Sequence, residues 1–288
     1  MDRFYLLAPA LFLFAAFALA FLVYSTLVVL GRPPVVEQLK HNQLLGPFWA
    51  RFLVWLIGPL ERLLLGRVSP NSVTAVSLIL CGVTAAGIGL GHLPGAAWLY
   101  AAAGILDVLD GRLARLSNQQ TSAGALFDSV SDRWGELLIF AGYTWFLHDS
   151  AWMLAVLAAA GGSMMVSYTR ARAEGLGIEL SGGMMQRAER VLLVVVGTLI
   201  AAWCGGDDDT LYLVEPILGA TMVVCGVASS ATAIHRWMIG YRELARRAER
   251  QAVPAPIAAM GSPGMVAAPS APVLIPAHVR KVAPLEQH

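Results

Sequence analysis

Charged residues are scarce in this sequence of 288 residues, of which only 14% are Asp, Glu, Lys or Arg. Soluble domains usually carry about 25% charged residues. Residues 4–30 contain no charge at all, and 57% of the whole chain is hydrophobic. That run is longer than the roughly 20 residues that a helix needs to cross a bilayer. The scarcity of charge therefore excludes an ordinary soluble domain and predicts a multi-pass membrane protein.

Cysteine is also rare. The three cysteines, Cys81, Cys204 and Cys225, are far apart and lie in apolar runs. An odd number without close spacing argues against both a disulfide framework and a zinc site. We interpret them as small apolar residues. The net charge of +1 is uninformative, because the positive charges are unevenly placed. We expect no nucleic acid among the partners of this protein.

Seven charge-poor runs predict membrane-spanning helices. The first could be a signal peptide, but it is longer than the usual apolar region of about 7–15 residues, so we expect an uncleaved helix. The runs are roughly residues 6–30, 71–92, 95–113, 122–147, 151–171, 190–204 and 211–236.

Basic residues gather in alternate loops and after the last run, for example Arg67, Arg115, Arg170 and Arg246. The positive-inside rule places these loops in the cytoplasm and the N-terminus outside. We therefore expect a multi-pass protein of the cell membrane (inner or plasma membrane) whose polar site faces the cytoplasm.

The composition divides the chain into four parts. Residues 1–33 form an extra N-terminal transmembrane helix, and residues 34–68 form an amphipathic helix in the headgroup layer. Residues 69–250 form the main helical membrane domain. Residues 251–288, rich in Ala and Pro, are predicted to be a disordered cytoplasmic tail.

The most informative segment runs from Asp107 to Asp132 and reads DVLDGRLARLSNQQTSAGALFDSVSD. Asp107 and Asp110 share one helix face, and Asp128 and Asp132 share a face of the next helix. A short polar loop joins the two helices, so all four carboxylates can meet. Such a group at membrane depth requires cations, and hard divalent ions such as Mg²⁺ or Mn²⁺ prefer oxygen ligands.

Two alternatives remain open for these carboxylates. They could form ion pairs with arginines such as Arg112, Arg115 and Arg133, or they could line the pathway of an ion or solute carrier. Small residues around the carboxylates favour a site that admits a phosphorylated ligand, because the backbone can then be approached closely. Arg115 could bind a phosphate by a charge-assisted hydrogen bond.

The spacing Asp107-x2-Asp110-Gly111-x2-Ala114-Arg115-x8-Gly124-x3-Asp128-x3-Asp132 resembles the signature of the CDP-alcohol phosphotransferases at all eight fixed positions. The resemblance covers roughly residues 45–250. It implies a dimeric, all-α membrane protein with a six-helix core, to which this chain adds the N-terminal and interfacial helices. It also implies the transfer of a phosphatidyl group from CDP-diacylglycerol to an alcohol, with release of CMP.

The resemblance also implies roles for individual residues. Asp107, Asp110 and Asp128 would bind metal, with two ions expected, and Asp132 would act as general base with a possible share in metal binding. The CDP part of the donor would be bound by Gly111, Ala114, Arg115, Gly124, Asn71 and Thr74. For the stretch around Asn71, helix capping by Asn71 or Ser72 is an equally good interpretation.

Basic residues near the cytoplasmic ends of later helices suggest an acceptor that carries its own phosphate. The surrounding stretches resemble those of phosphatidylinositol phosphate synthases, a branch of the family that uses inositol phosphate. Glycerol 3-phosphate or another alcohol stays open as the acceptor, and ordinary positive-inside anchoring is the structural alternative for the arginines. The acceptor-binding candidates are Ser167, Arg170, Arg187, Arg190 and Arg236.

Overall fold

The chain folds into α-helices, and the computed structural model describes residues 3–33, 46–180, 183, 185–205 and 208–252. No β-strand occurs within these ranges, which confirms the predicted all-α class. The helices are α1 (Arg3–Val29), α2 (Gly46–Leu64), α3 (Pro70–Gly89), α4 (Leu93–Leu116), α5 (Ser122–Phe146), α6 (Met153–Glu174), α7 (Arg187–Cys204) and α8 (Val214–Ala252), with a short 3₁₀ helix at Asp208–Leu213.

The predicted domain boundaries stay predictions. Helix α2 covers the second part of the predicted interfacial segment, whereas residues 34–45 lie outside the described residues. Of the predicted disordered tail, 251–288, the structure describes only residues 251 and 252, and residues 253–288 lie outside the described residues.

Helix α3 begins directly after Ser69, whose Oγ accepts a hydrogen bond of 3.1 Å from the backbone N–H of Ser72. Pro70 is the first helical residue, a position where the N–H that proline lacks is not needed. Capping by Asn71 or Ser72 is therefore wrong, because Pro70 moves the cap to the residue before it. The amide side chain of Asn71 does not cap the helix.

A second cap sets the start of the helix that carries Asp128 and Asp132. The hydroxyl of Thr121 accepts a hydrogen bond of 2.9 Å from the backbone N–H of Gly124. This bond starts α5 only a few residues after α4 ends at Leu116. The short connection turns α5 back alongside the helix that carries Asp107 and Asp110.

Glycine allows backbone contact between helices. A Cβ atom at Gly142 of α5 would lie 2.6 Å from the carbonyl oxygen of Ala85 in α3. A Cβ atom at Gly162 of α6 would lie 3.0 Å from the carbonyl oxygen of Gly226 in α8. Small residues of this kind are typical of helix interfaces in membranes.

Apolar and polar residues separate toward opposite ends of the bundle. The main hydrophobic cluster contains Ile88, Tyr100, Tyr143 and Leu218, all of them buried. Tyr100 lies near the start of α4 and Tyr143 near the end of α5, so the cluster lies away from the loop between those helices. The acidic residues of the signature lie at the loop end, where α3 and α5 begin and α4 ends.

Helices α1 and α2 contact each other through aromatic side chains. The rings of Tyr24 and Phe52 have centroids 5.4 Å apart, and both residues are fully buried. Phe21 packs edge-on against Phe52, with centroids 5.5 Å apart. Aromatic edge-to-face contacts of this type add stabilisation beyond that of buried area.

Two of the predicted spans meet a test of length and apolar composition for a membrane-crossing helix. They are the helix Pro70–Gly89 and the segment Leu211–Arg250, while the apolar run Ala15–Val29 is shorter. Helices α4 to α8 carry the acidic and basic residues of the candidate site. The total number of membrane crossings stays a prediction.

Candidate active site

Three carboxylates from two consecutive helices converge at the polar end of the bundle. Asp107 and Asp110 project from α4 and Asp128 projects from α5. One ligand atom from each lies within 4.8 Å of the others. The spacing of three residues within α4 places its two carboxylates on the same face, and the short loop brings α5 to meet them.

Asp110 is the most buried member of this group, with 3% of its surface exposed. Its Oδ2 accepts a hydrogen bond of 2.5 Å from the hydroxyl of Thr74 in α3. Its Oδ1 is buried and has no hydrogen-bond partner among the described residues. A buried carboxylate oxygen without a hydrogen-bond donor costs free energy, so a bound ligand at this atom would stabilise the protein.

The chemistry of the group matches a divalent cation with a preference for oxygen. Three carboxylates within 4.8 Å of one another repel each other unless positive charge lies between them. Mg²⁺ and Mn²⁺ bind such oxygen donors, and their remaining positions are open to water or phosphate oxygens. The orphaned Oδ1 of Asp110 is the structural observation that supports this match.

Asp132 lies next to this group rather than inside it. The guanidinium group of Arg187, at the start of α7, forms ion pairs with both Asp132 and Asp107. A second arginine, Arg133, lies 3.8 Å from the other oxygen of Asp132. Arg187 thus connects the fourth carboxylate of the signature to Asp107.

Ion pairing of the aspartates, one of the open alternatives, occurs in part: of the three arginines named for it, Arg133 lies 3.8 Å from Asp132. Arg187 is the cation that joins two of the aspartates, and Arg112 pairs with Glu61 instead. Thr74, Asp107, Asp132 and Arg187 line a small cavity, together with Ser77, Leu78, Cys81 and Ser131.

The structure brings two of the predicted CDP-binding residues side by side. A Cβ atom at Gly124 would lie 3.3 Å from the Oδ1 atom of Asn71 and 3.0 Å from the hydroxyl of Thr121. Glycine keeps this space open between α3 and α5. Thr74, a third candidate, contacts the carboxylates directly through Asp110.

The other three CDP-binding candidates follow Asp110 along α4. A Cβ atom at Gly111 would lie 3.5 Å from the Nη1 atom of Arg115. Arg115 is partly buried, and its Nε atom has no hydrogen-bond partner among the described residues. Ala114 is also partly buried. The guanidinium group of Arg115 thus has a donor left for an anionic ligand.

The acceptor-binding candidates have different surroundings. Arg170 is exposed and pairs with Glu174 of its own helix at 2.8 Å. Arg236 of α8 is buried and donates a hydrogen bond of 3.0 Å to the carbonyl oxygen of Val166, the neighbour of Ser167 in α6. Arg187, in contrast, reaches the acidic group.

Arg190 belongs to a buried network. Its Nε donates a hydrogen bond of 2.9 Å to Oε1 of Glu136, and its Nη1 donates one of 3.1 Å to the carbonyl oxygen of Met185. The other oxygen of Glu136 accepts a hydrogen bond of 2.6 Å from Ser163. The network joins α5, α6 and α7. The acceptor role of Arg190 stays a prediction.

Sequence reasoning overlooked Glu136 and Glu61. Glu136 lies four residues after Asp132 and so shares its helix face, a signal that was available. Glu61 pairs with Arg112, 51 residues further along the chain, and only the packing of α2 against α4 reveals it.

Comparisons with known proteins agree with the geometry. Residues 67–231, more than half of the chain, match the sequence profile of the family described as CDP-alcohol phosphatidyltransferase. The archaetidylinositol phosphate synthase of Methanothermobacter thermautotrophicus is 34% identical over 173 residues, which are 60% of this chain and 83% of that protein. The phosphatidylinositol phosphate synthase of Mycolicibacterium smegmatis is 32% identical over 59% of this chain and 76% of its own length.

Solved structures are similar as well. A crystal structure of phosphatidylinositol phosphate synthase from Mycobacterium tuberculosis with CDP-DAG bound is 27% identical, with a TM-score of 0.56 over 65% of this chain and 94% of that one. The same enzyme in complex with manganese and citrate is 28% identical, with a TM-score of 0.55 over 64% of this chain and 88% of that one. The profile match and the acidic signature together assign the site to an enzyme rather than to a carrier, and the chain belongs to the CDP-alcohol phosphatidyltransferase family.

Proposed function

We propose that this enzyme transfers the phosphatidyl group of CDP-diacylglycerol to a hydroxyl group of inositol phosphate and releases CMP. The observation that carries the proposal is the convergence of Asp107, Asp110 and Asp128 within 4.8 Å of one another, beside Asp132 and Arg187. Relatives named for inositol phosphate lipids and a similar structure with CDP-DAG bound support the choice of substrates.

Asp107, Asp110 and Asp128 would hold a divalent cation, for which we propose Mg²⁺ or Mn²⁺, and a second ion would share Asp132. Manganese in a similar structure supports a divalent metal of this kind. When bound, the ions supply positive charge that stabilises the phosphate oxygens in the transition state. The hydrogen bond from Thr74 fixes one oxygen of Asp110 and leaves the other for a ligand.

Asp132 acts as the general base. Its carboxylate accepts the proton from the acceptor hydroxyl, and the oxygen of that hydroxyl attacks the phosphorus atom on the lipid side of the pyrophosphate. A bond forms between this oxygen and phosphorus, the bond to the bridging oxygen breaks, and CMP leaves with that oxygen. Arg187 contacts Asp132 and holds its carboxylate at the cavity that both residues line.

The CDP part of the donor lies against α3, α4 and α5. Glycine at 111 and 124 allows the nucleotide to approach the helix backbones closely, and Ala114 adds little bulk. The Oδ1 atom of Asn71 lies 3.3 Å from the place that a Cβ atom at Gly124 would occupy. The guanidinium group of Arg115, with its unpartnered Nε, donates to a phosphate of the nucleotide.

The phosphate of the acceptor is bound by basic residues of α6, α7 and α8. Arg187 touches both the acidic group and the cavity, so it links the acceptor to the base. Arg236 is held near Ser167 by its bond to Val166. Arg170 can release Glu174, an exposed partner on its own helix, to bind an anion instead. Exposed pairs of this kind contribute little stability.

The membrane setting follows from the same sequence features. We propose a multi-pass enzyme of the cell membrane, a homodimer, with the polar end of the bundle toward the cytoplasm. The basic residues that flank the polar ends of the helices support this orientation. A water-soluble acceptor and CMP would then enter and leave on the cytoplasmic side.

The direct test is CMP release by the purified protein from CDP-diacylglycerol in the presence of Mg²⁺. With inositol phosphate we expect turnover, and without an acceptor we expect no more than slow background hydrolysis. Equal CMP release with and without inositol phosphate would mean that water is the acceptor and would overturn the proposal.

A further inference from the structure

Helix α2 makes a buried ion pair with the helix that carries the signature aspartates. The Nε and Nη2 atoms of Arg112 in α4 donate to the two carboxylate oxygens of Glu61 in α2, the second at 3.2 Å. Residue exposure is 7% for Glu61 and 4% for Arg112. A bidentate pair between a guanidinium and a carboxylate fixes both the distance between the two groups and their relative orientation.

A small apolar cluster joins the same helices as this ion pair. Val73, Leu109 and Leu113 form a small buried cluster that Leu60 and Leu64 of α2 complete. The side chains of Arg112 and Glu61 are only 5% and 9% exposed, so Arg112 without Glu61 would be a buried charge that has lost its partner. The pair and the cluster together hold α2 against the start of α3 and the end of α4.

The position of Arg112 makes this contact relevant to the site. Arg112 follows Gly111 and lies between Asp110 and Arg115 in the signature segment. A residue two positions after Asp110 projects from a different side of the helix, since each residue advances the helix by about 100°. Thr74 therefore holds α4 through Asp110 on one side, and Glu61 holds it through Arg112 on another.

Glu61 lies outside the region that matches the family. The matched region begins at residue 67, after the end of α2 at Leu64. The helix that carries Asp107 and Asp110 is thus paired with a helix that the matched region does not include.

We propose that Glu61 is a positioning residue for phosphatidyl transfer: by anchoring Arg112 it sets the rotation of α4 about its axis, and so places Asp107, Asp110 and Arg115 for the metal and the CDP-linked donor. This inference rests on the proposed function for its substrates. Glu61 itself touches neither substrate nor metal, and it acts through α4.

Two variants separate positioning from stability. Glu61→Gln removes the negative charge and leaves Arg112 buried without a counter-charge, so it lowers stability as well. The double variant Glu61→Met with Arg112→Met removes the pair without leaving a charge, and such apolar replacements are often neutral or stabilising. Glu215→Gln, an exposed residue in the first turn of α8, is the matched control.

The readouts are Mn²⁺ binding by electron paramagnetic resonance without substrate, the KM values for both substrates, and the thermal midpoint of the metal-free protein. For the double variant we expect Mn²⁺ binding weakened about tenfold and a similar rise in the KM for CDP-diacylglycerol. The KM for inositol phosphate should change less, because its proposed ligands lie on other helices and, of these, Arg187 contacts α4 through Asp107. The thermal midpoint should stay close to that of the unmodified protein.

Mn²⁺ affinity and the KM for CDP-diacylglycerol within twofold of the unmodified protein would overturn the inference, whether the thermal midpoint of the double variant falls or not. The metal-binding readout needs no turnover. An unmodified protein that binds Mn²⁺ but releases no CMP would therefore refute the proposed function separately, while the effect of Glu61 on Mn²⁺ binding could still be measured.

Discussion

The two sides of the active site are built on different principles. On the metal side, Asp107, Asp110 and Asp128 bring like charges together and leave a buried oxygen of Asp110 without a donor. On the proposed acceptor side, Arg170 pairs with Glu174 and Arg236 with a backbone carbonyl. The carboxylate cluster leaves an oxygen for an added cation, whereas Arg170 and Arg236 are already partnered within the protein.

Arg187 joins the two sides. Arg187 is a proposed acceptor ligand at the start of α7. Its guanidinium group nevertheless contacts Asp107 and Asp132. An acceptor phosphate that binds Arg187 is thereby brought next to the proposed base. The difference between the sides predicts that metal-side changes abolish the reaction, while acceptor-side changes weaken the use of one substrate.

Removal of the metal is expected to have the largest effect. Exhaustive treatment with a chelator should abolish CMP release, because the clustered carboxylates cannot stabilise phosphate charge by themselves. Addition of Mg²⁺ or Mn²⁺ should restore it. Elemental analysis checks that the treated protein holds no metal. Full activity of that metal-free protein would mean that the carboxylate cluster needs no cation, and would contradict the proposed difference between the two sides.

Replacement of Asp132 by Asn should reduce kcat by about 10²–10⁴-fold, since a positioned general base contributes an effect of that size. Steady-state CMP release at saturating metal and substrates measures this loss. Asp149→Asn is the matched control, because the side chain of Asp149 is 92% exposed and contacts His148 far from the signature. A kcat for Asp132→Asn within tenfold of normal would assign the base to another residue.

Replacement of Arg187 by Gln should raise the KM for inositol phosphate by about 10–100-fold, the size expected for a lost hydrogen bond to a charged group. The KM for CDP-diacylglycerol should change less. Arg172→Gln, at an exposed position near the end of α6, is the control and should behave like the unmodified protein. If the two KM values rose equally, Arg187 would belong to the metal side alone.

Replacement of Gly124 by Ala should have the smallest effect, a rise of several-fold in the KM for CDP-diacylglycerol. The new Cβ atom would lie 3.3 Å from Asn71 and 3.0 Å from Thr121, so it narrows the space proposed for the nucleotide. Gly161→Ala places its Cβ atom in open space and serves as the control. An unchanged KM in Gly124→Ala would place the nucleotide elsewhere.

The metal side could be predicted from the sequence because helix geometry relates its residues over short distances. The spacings within α4 and α5 fix which carboxylates share a face, and the short loop between those helices fixes their meeting. The cap of α3 could have been predicted too, since Pro70 favours the first helical position and leaves Ser69 as the cap.

The long-range contacts could not be predicted in this way. Arg187 and Asp107 are separated by 80 residues, and Arg190 and Glu136 by 54. Which arginine meets which carboxylate depends on the packing and rotation of separate helices, and many arginines in the sequence were suitable candidates. The same holds for Glu61, whose partner Arg112 was considered only as a partner for the aspartates.

The most direct test of the central claim is a competition between acceptors. The purified enzyme is given CDP-diacylglycerol, Mg²⁺ and equal concentrations of inositol phosphate, glycerol 3-phosphate, free inositol and serine, and the lipid products are quantified by mass spectrometry against CMP. The account predicts one lipid product per CMP, with the inositol phosphate lipid dominant and free inositol nearly unused. A dominant product from an acceptor without a phosphate would contradict the arginine-based acceptor site, and CMP without any lipid product would contradict phosphatidyl transfer itself.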